Sequence, residues 1–399
     1  MRIFTCTPVE FGGGADFFAR DSGLLCRGFQ SLGVDSRAVM PGVRNPEDEE
    51  DLIRTDYHNL ESVDWWRSMN VDGVVLYAWG RPKFRKGAAA IRGAGIFLVL
   101  NQDNGGLVSP LAGARGWLEE QWIMSGQGRG IQHWLGFLKI AARGLTAGLL
   151  ITDPLRAVHL RHGDVIACVS PKAAEHYRKL CHICGGNSLA SRVTVIPHAV
   201  ETRFRYHGSG KLRQVACIGR WSDAVQKRPG LLMDVVTRLL AEDPTVKVVI
   251  AGMPSLEMRN WHAGLADGSR QRVNLCGMMG RGELAGVLAC SQVFYSPSAY
   301  ESFGIAAAEA LSSGCSVVAG KSVSMASFEW FVSENSGTLS DDDTVQGHLD
   351  ALKAELTAWE DGGRDAFKIS ERWSEQLHAD KVAGRILRLI RHRDETTII

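Results

Sequence analysis

Two carboxylates in the second half of the chain have the spacing and the setting of a site for hydroxyl groups and phosphates. A strand is predicted to end at Ser296, a polar loop carries Glu301, and a helix is predicted to begin near Gly304. Glu309 follows about two helical turns after Glu301. Carboxylates at such positions accept hydrogen bonds from the hydroxyls of a polyol, a sugar or a ribose, and a helix N-terminus suits a diphosphate. The alternative is that Glu301 only caps the helix and that Glu309 lies on a solvated face.

Positive side chains that follow an earlier strand complement this acidic loop. Arg220 comes directly after the apolar run 215–219, and Lys227 and Arg228 precede the helix that Pro229 opens. Two or three cations at a strand end in the same domain would neutralise a diphosphate. The alternative is a solvated loop with ordinary surface charges.

A glycine-rich turn, residues 11–14, follows the first predicted strand and includes Gly13 and Gly14. Consecutive glycines let the backbone approach a ligand closely, and the amides of the next helix would point at an anion. The turn lacks the GxGxxG spacing, so it does not indicate a dinucleotide fingerprint. A simple tight turn is an equal alternative.

The sequence predicts no metal site. Cys181 and Cys184 form the one cysteine pair with ligand spacing, and no second pair follows them, so we interpret them as part of a helix end before a turn. The acidic run 341–343 lies in a polar stretch and is interpreted as a solvated loop.

Strands and helices must position these residues, and the chain supplies both in alternation. With 399 residues, of which 45% are apolar, two domains are expected and a disordered chain is excluded. Short apolar runs without strict alternation are typical of parallel strands buried on both faces. The predicted strands are 3–7, 74–79, 96–101, 165–170, 193–197, 214–219, 246–252, 272–277, 292–297 and 316–320. The helical stretches between them favour α/β units.

The strand and helix pattern restarts near residue 198, and the polar stretch 201–213 is predicted to link two domains. The predicted fold class is α/β, with two Rossmann-like doubly wound parallel sheets facing a cleft. Ligands on such sheets bind outside the carboxyl ends of the strands. A long amphipathic helix is predicted over 371–391.

Charge and cysteine usage limit the partners and the compartment. A formal net charge of +1 excludes a globally basic nucleic-acid binder. No uncharged apolar run approaches the roughly 18 residues that span a bilayer, and the best candidate is only 145–152. A strand begins at the N-terminus without a signal-peptide layout. The nine scattered cysteines are typical of a reducing compartment, so we expect a cytoplasmic location.

The stretch 121–161 carries five Lys or Arg residues and one acidic residue, together with Trp122, Trp134 and Phe137. A cationic, aromatic surface of this kind could lie peripherally against the inner face of an anionic membrane. The favoured alternative is an ordinary helical region between strands that packs inward.

Seven segments of the chain occur in the order found in one known family. They are 164–170, 195–201, 218–220 with Lys227, 249–252, 273–277, 301–309 and 314–319. They resemble a retaining glycosyltransferase with the two-Rossmann GT-B fold, family GT4 (glycosyl transferases group 1). The resemblance covers nearly the whole chain and is sharp from about residue 164 onward. It implies an acceptor-side domain over 1–197, a nucleotide-sugar donor domain over 198–370, and a C-terminal helix over 371–399, with Trp373, that packs back on the first domain.

The resemblance also implies a role for each candidate site residue. Arg220 and Lys227 would hold the donor diphosphate, Glu301 the donor sugar, and Glu309 the ribose hydroxyls. The remaining positions are Ser302, Phe303 and Gly304 beside the sugar and phosphate, Gly277 and Met278 at the base, and Gly13 and Gly14 on the acceptor side of the cleft.

The chain departs from the family pattern in its first domain. The family often carries a histidine after the fourth strand, where this chain has 101–104, Asn-Gln-Asp-Asn, so Gln102 or Asp103 is the candidate for the contact to the donor sugar. The family's Asn-Gly before the linker is His198-Ala199 here. The spacing from Arg220 to Lys227 is slightly longer than usual.

The implied activity is the transfer of a sugar from a nucleoside-diphosphate sugar to a hydroxyl acceptor, with retention of configuration. The acceptor would be a glycan, a lipid-linked molecule or a small molecule, and neither a metal nor another cofactor is expected. The alternatives are a nucleotide-sugar epimerase on the same fold and a non-catalytic nucleotide-sugar-binding protein. The sequence leaves the base, the sugar, the acceptor, the linkage and the oligomeric state open.

Overall fold

The chain folds into two compact units. The computed structural model describes residues 1–125, 130–333 and 335–397. The first unit comprises Met1–Gln121, Arg129–Glu201 and Gln376–Ile399, and the second comprises Trp122–Gly128 and Thr202–Glu375. The C-terminal segment from residue 376 therefore belongs to the unit that the N-terminal residues form.

The first unit is built on a parallel sheet, seven-stranded in the described residues. Its strands are β1 Ile3–Cys6, β2 Ala38–Pro41, β3 Leu52–Thr55, β4 Gly73–Tyr77, β5 Phe97–Gln102, β6 Val165–Cys168 and β7 Val193–Val195. Their order is β3-β2-β1-β4-β5-β6-β7, with every neighbouring pair parallel. The first strand is thus central and the chain winds outward to both edges, as in doubly wound α/β folds.

Helices connect these parallel strands. They are α1 Ala15–Phe18, α2 Asp21–Ser31, α3 Tyr57–Leu60, α4 Val63–Ser68, α5 Arg85–Gly93, α6 Ala114–Met124, α7 Ile131–Arg143, α8 Asp153–Arg161 and α9 Pro171–Ala190, with 3₁₀ turns at Pro82–Phe84 and Pro110–Ala112. A segment of π-helical backbone, Gly144–Thr152, joins α7 to α8. Buried Val75 and Val99 of the sheet share one apolar cluster with Phe29 of α2.

The second unit has its own parallel sheet, six-stranded where the chain is described. Its strands are β8 Leu212–Ile218, β9 Lys247–Ala251, β10 Val273–Gly277, β11 Ser291–Ser296, β12 Ser316–Gly320 and β13 Gly337–Ser340, in the order β10-β9-β8-β11-β12-β13. Its helices are α10 Pro229–Glu242, α11 Leu256–Gly264, α12 Asp267–Arg270, α13 Arg281–Cys290, α14 Ile305–Ser312, α15 Phe328–Phe331, α16 Val345–Glu360 and α17 Ala366–Leu377. Val215, Val248 and Leu352 lie in its buried core.

The last helix, α18 Ala379–Thr397, packs along α2 of the first unit. A Cβ atom at Gly28 of α2 would lie 2.3 Å from the carbonyl oxygen of Ala379, so only glycine permits this approach. The single long helix predicted over 371–391 is interrupted, because α17 ends at Leu377 and α18 begins at Ala379. Trp373 lies on α17, fully buried against Trp330 and Phe331 of the second unit.

All ten predicted strands are present in the structure, and both sheets confirm the predicted fold class of two parallel α/β domains. Three strands were not predicted, namely β2, β3 and β13. Each has four residues, and β3 and β13 lie at sheet edges. β3 and β13 carry only two and one apolar residues, too few to stand out from their flanking loops.

One helix in the described part of the chain, Ile131–Arg161, is long and apolar enough to cross a membrane by length and composition. The search for uncharged runs did not single out this helix, because Lys139 and Arg143 interrupt it. The inward packing favoured for 121–161 is wrong for 131–152, where Ala141 is the one buried residue.

A buried ion pair lies beneath the glycine-rich turn of the first unit. The Arg54 guanidinium donates to both carboxylate oxygens of Asp48, at 3.0 Å and 2.9 Å, and also to the Phe11 carbonyl oxygen at 2.7 Å. These side chains are only 3% and 1% exposed. The hydrogen bonds from Arg54 lower the pKa of Asp48 to about 2, with burial acting in the opposite direction. A Cβ atom at Gly13 would lie 2.3 Å from an Asp48 oxygen, so this glycine permits the turn to rest on the pair.

We expect Asp48→Asn to lower the free energy of unfolding by about 2 kcal/mol at pH 7. The pKa in the folded state lies below the unfolded value of about 4, so the carboxylate stabilises the fold above pH 4 and loses this effect as the pH falls through 2. The difference from wild type should therefore shrink to about half at pH 3. Urea unfolding followed by circular dichroism measures it. Asp64→Asn, which alters an exposed ion pair with Arg67, is the matched control. A difference that stays constant from pH 7 to pH 3 would contradict the role of the charge.

Candidate functional site

The candidate site of the second unit lies at the carboxyl ends of β8 and β11. These two strands are parallel neighbours, so the loops that follow them emerge at the same edge of the sheet. The loop after β8 carries Arg220 and Lys227, and the loop after β11 carries Glu301. The structure thus brings together three of the residues that the sequence indicated.

Lys227 and Glu301 form an ion pair at the centre of this site. Their side chains are 16% and 13% exposed. The Ser298 hydroxyl donates to the same carboxylate oxygen at 2.8 Å, and the Gln226 side-chain amide lies 3.4 Å from the other oxygen. Glu301 is therefore bound through its carboxylate to the neighbouring loop, which differs from the alternative of a helix cap alone.

Gln226 connects the two loops, and sequence reasoning missed it. Its side-chain oxygen accepts from Arg220 Nη2 at 3.2 Å, and its amide donates to the Tyr300 carbonyl oxygen at 3.1 Å. Its own backbone oxygen accepts from Ala299 N at 2.8 Å. The available signal was its position directly before Lys227, within the loop already singled out for its cations.

The residue after Lys227 is held in a strained conformation. Arg228 has a φ of 45°, a left-handed value that is costly for a side chain other than glycine. Its guanidinium donates to the Asp343 carboxylate at 2.6 Å and to the Pro297 carbonyl oxygen at 2.5 Å. The run 341–343 is exposed, as the sequence indicated, and its Asp343 also fixes the residue beside Lys227.

Glu309 lies apart from the Lys227–Glu301 pair, on α14, and is 3% exposed. Its carboxylate forms an ion pair with Arg281, whose Nη1 lies 2.8 Å away, and the Arg281 guanidinium lies 4.7 Å from the ring centre of Phe204. The alternative of a solvated face residue is thus excluded. Arg281 was missed by sequence reasoning, although it opens the helix that follows the Gly277–Met278 loop.

The loop from Ser302 to Gly304 is anchored through its backbone. The Ser302 carbonyl oxygen accepts from the Ser327 hydroxyl at 3.2 Å. Phe303 is 1% exposed and packs edge-on against Phe331. Gly304, with a φ of 84°, precedes α14, and a Cβ atom there would lie 2.6 Å from the Phe328 ring. The amides at the start of α14 are consequently fixed in place.

The loop predicted to face a base follows β10. Gly277 adopts a φ of 69°, and its carbonyl oxygen accepts from Gly252 N at 2.7 Å. Met278 directly after it is 73% exposed. The loop thus offers an apolar side chain to solvent at the carboxyl end of a strand.

The first unit contains a separate cavity of about 670 Å³. Aromatic, acidic and basic side chains line it together, among them Phe11, Trp79, Tyr77, Asp16, Asp21, Asp103, Asn104, Arg20 and Arg81. Gly12 lines the cavity, whereas Gly13 and Gly14 of the same turn are not among its lining residues. The glycine-rich turn precedes a helix of only four residues, α1, so the expected helix of amides aimed at an anion is short.

Asp103 lies in this cavity and contacts a buried histidine. His198 Nε2 is 2.8 Å from an Asp103 oxygen, and its Nδ1 is 3.9 Å from an Asp21 oxygen. Burial by itself lowers the pKa of His198, but the carboxylates of Asp103 and Asp21 outweigh it and raise that pKa to about 9. The imidazole is therefore protonated at neutral pH and fixes the carboxylate of Asp103. The departure at His198-Ala199 was the sequence signal for this contact.

Two further observations concern this cavity. Gln102, the other candidate for the sugar contact, is fully buried and does not line it, which leaves Asp103 of the two. Asp21 and Trp79 both line it with positive φ values, 51° and 49°. Non-glycine residues with strained backbone conformations of this kind cluster at ligand sites.

Asp21, Asp103 and His198 are the one group in the described residues whose ligand atoms lie close enough together to hold a metal ion. A metal ion at this group would have to displace a proton from the His198 imidazole, whose pKa the two carboxylates raise. Cys181 and Cys184 lie on α9, where burial raises the pKa of Cys181 to about 12, and they are not part of such a group. The predicted helix end at this pair is a kink at Gly186.

Comparisons with known proteins bear on the fold and the enzyme class. Residues 213–356 match the family model described as Glycosyl transferases group 1. No curated protein sequence matches the chain. Among solved structures, Anabaena HepE in complex with UDP has a TM-score of 0.64 at 15% identity, covering 98% of this chain and 100% of its own.

Two other solved structures are similar over comparable lengths. The lipopolysaccharide outer core galactosyltransferase WaaB, in its apo form, has a TM-score of 0.64 at 12% identity, covering 98% of this chain and 100% of its own. Sucrose-phosphate synthase from Thermosynechococcus elongatus has a TM-score of 0.58 at 14% identity, covering 99% and 100%. At these identities the likeness shows the fold. The chain therefore has the GT-B fold, its second unit carries a glycosyl transferases group 1 domain, and its enzyme class is that of a glycosyltransferase.

Proposed function

We propose that this protein transfers a sugar from a nucleoside-diphosphate sugar to a hydroxyl acceptor with retention of configuration, as a member of family GT4. The observation that carries the proposal is the network of Arg220, Gln226, Lys227 and Glu301 at the carboxyl ends of β8 and β11. HepE structures hold UDP and UDP-glucose, so UDP-sugars are the first donors to test.

The donor diphosphate would be bound by Arg220 and Lys227. Lys227 is already paired with Glu301, so a phosphate that arrives would share or replace the carboxylate as its partner. The carboxylate so released would accept hydrogen bonds from the hydroxyls of the donor sugar. Binding of the donor and orientation of its sugar would thus be coupled through one ammonium group.

The buried carboxylate of Glu309 would bind the ribose, with Arg281 holding it in place. The Gly277–Met278 loop would lie against the base. The fixed amides of Ser302 to Gly304 would approach the sugar and the phosphate.

The acceptor side is assigned to the cavity of the first unit. Trp79 and Phe11 offer aromatic faces on which a sugar ring stacks. Asp103, held as a carboxylate by protonated His198, would accept a hydrogen bond from a hydroxyl of the donor sugar. It would take the place of the histidine through which the family often makes this contact.

Retention would follow from displacement on the front face of the sugar. The bond from the anomeric carbon to the phosphate oxygen breaks, the acceptor oxygen bonds to the same face, and its proton passes to the leaving phosphate oxygen. Glu301 would be a poor nucleophile in this setting, because its carboxylate would accept hydrogen bonds from the donor-sugar hydroxyls and from Ser298. No protein nucleophile is therefore assigned.

The reaction would proceed without a metal, because Arg220 and Lys227 would neutralise the charge that develops on the diphosphate. We place it in the cytoplasm. All nine cysteines are free, as expected in a reducing compartment.

Release of nucleoside diphosphate from UDP-, GDP-, ADP- and dTDP-sugars, with a mixture of hydroxyl acceptors, tests the proposed function. We expect release to depend on the acceptor, to continue in EDTA, and to give a product with the anomeric configuration of the donor by NMR. Full loss of turnover in EDTA, restored by magnesium or manganese, would overturn the metal-free mechanism. An epimerised nucleotide sugar formed without acceptor, or binding without turnover, would overturn glycosyl transfer itself.

Replacing either cation of the network should slow the reaction. Arg220→Ala and Lys227→Ala should each lower kcat/KM by the equivalent of about 2–4 kcal/mol, as when other preorganised charge contacts to a transition state are lost. Lys247→Ala is the matched control, because Lys247 is exposed at the opposite, amino end of β9. Steady-state kinetics with the best donor provides the measurement. A variant with unchanged kcat/KM would remove that residue from the donor site.

Substitutions of the two carboxylates should change different kinetic parameters. Glu309→Gln should mainly raise the KM for the donor, because ribose contacts exist equally in the ground and transition states. Glu301→Gln should mainly lower kcat, because contacts beside the reacting carbon strengthen as charge develops.

Both substitutions keep the size and one acceptor oxygen, and Glu257→Gln on the exposed start of α11 is the control. Circular dichroism checks that each variant is folded. If Glu301→Gln keeps a normal kcat and still binds nucleotide, the donor sugar does not contact Glu301.

A further inference from the structure

An apolar helix face in the first unit points to solvent. Ile131, Trp134, Leu135 and Leu138 recur at the spacing of one helix face. Their exposed fractions are 77%, 50%, 60% and 54%. A surface helix of a globular domain normally turns its apolar face inward, whereas these four side chains of α7 are at least half exposed.

The uncovered apolar surface continues beyond α7. In the π-helical segment, Leu145, Leu150 and Ile151 are 46%, 78% and 60% exposed. The surface ends at α8, whose Ala157 and Leu160 are buried. The exposed helix is therefore firmly attached to the first unit at its C-terminal end.

The charges on this helix have one sign. Residues 131–152 contain no aspartate or glutamate, while Lys139 and Arg143 are both exposed. The next acidic residue, Asp153, is buried and paired with Arg156. An apolar face with exposed cations beside it complements an anionic bilayer. The apolar side chains fit the acyl chains, and the cations fit the negatively charged headgroups.

We propose that residues 131–151 dock this protein in the plane of an anionic lipid bilayer, with Ile131, Trp134, Leu135 and Leu138 in the acyl boundary. Lys139 and Arg143 flank the apolar face, where they meet lipid phosphates. A spanning orientation would place these two charges near the bilayer centre, where charged side chains are costly. Trp134 has the amphipathic ring that concentrates at membrane interfaces.

Cosedimentation of the full chain with lipid vesicles tests the docking. We expect binding to vesicles of phosphatidylcholine and phosphatidylglycerol at 3:1, and much weaker binding to phosphatidylcholine alone. Leu135→Glu combined with Leu138→Glu should weaken binding to the anionic vesicles at least tenfold. Leu256→Glu, at a leucine of α11 that is 67% exposed, should bind as wild type does. Salt at 0.5 M should weaken binding because it screens the cations.

The docking is independent of the proposed chemistry, because vesicle binding is measured without donor or acceptor. Failure to bind anionic vesicles, or equal binding by the double variant, overturns it. A dimer in light scattering that the double variant breaks, without vesicle binding by the wild type, would assign the face to a second copy instead. Resistance to alkaline extraction from vesicles would overturn the in-plane orientation in favour of a span.

Discussion

The ion pair of Lys227 and Glu301 is the interaction on which the second unit's site depends. The two residues are 74 positions apart in sequence, and the parallel pairing of β8 with β11 brings them to one edge of the sheet. Two charges that are less than one-fifth exposed each need partners to offset the loss of water. Ser298 and Gln226 supply those partners, and Gln226 extends the network to Arg220. The positive charges of Lys227 and Arg220 therefore lie at the end of β8, and each has a hydrogen-bonding partner.

Charged groups in the first unit are also buried together with partners of opposite charge, at two places. Arg54 and Asp48 neutralise each other beneath the glycine-rich turn and fix its backbone. His198 is buried as a cation only because Asp103 and Asp21 lie beside it. Both pairs position the walls of the same cavity, since Phe11 and Asp103 line it. The shape of the cavity wall therefore depends on these two buried ion pairs.

Most apolar side chains are buried in the two cores, but those on one face of α7 are exposed. The two cores are closed, with residues such as Val99 and Val215 fully buried, while α7 leaves its apolar face in solvent. Exposure of one apolar side chain is ordinary, but a contiguous face of several is typical of an interaction surface. The same residue types therefore stabilise the fold in one place and remain available to a partner in another.

The sequence by itself determined ten of the thirteen described strands, the two-domain α/β plan and the loops that carry Arg220, Lys227 and Glu301. These are local signals, because an apolar run followed by a polar loop can be recognised within a few residues. It did not find β2, β3 and β13, of which β3 and β13 carry only two and one apolar residues.

The tertiary structure alone decided the partnerships: Gln226 between two loops, Arg281 on Glu309, and His198 on Asp103. It also decided that α7 turns its apolar face outward, which the same periodicity had suggested was packed inward. The physical reason is that periodicity reports which face of an element is apolar, whereas what lies opposite that face is set by strand order and by contacts between residues far apart in the chain.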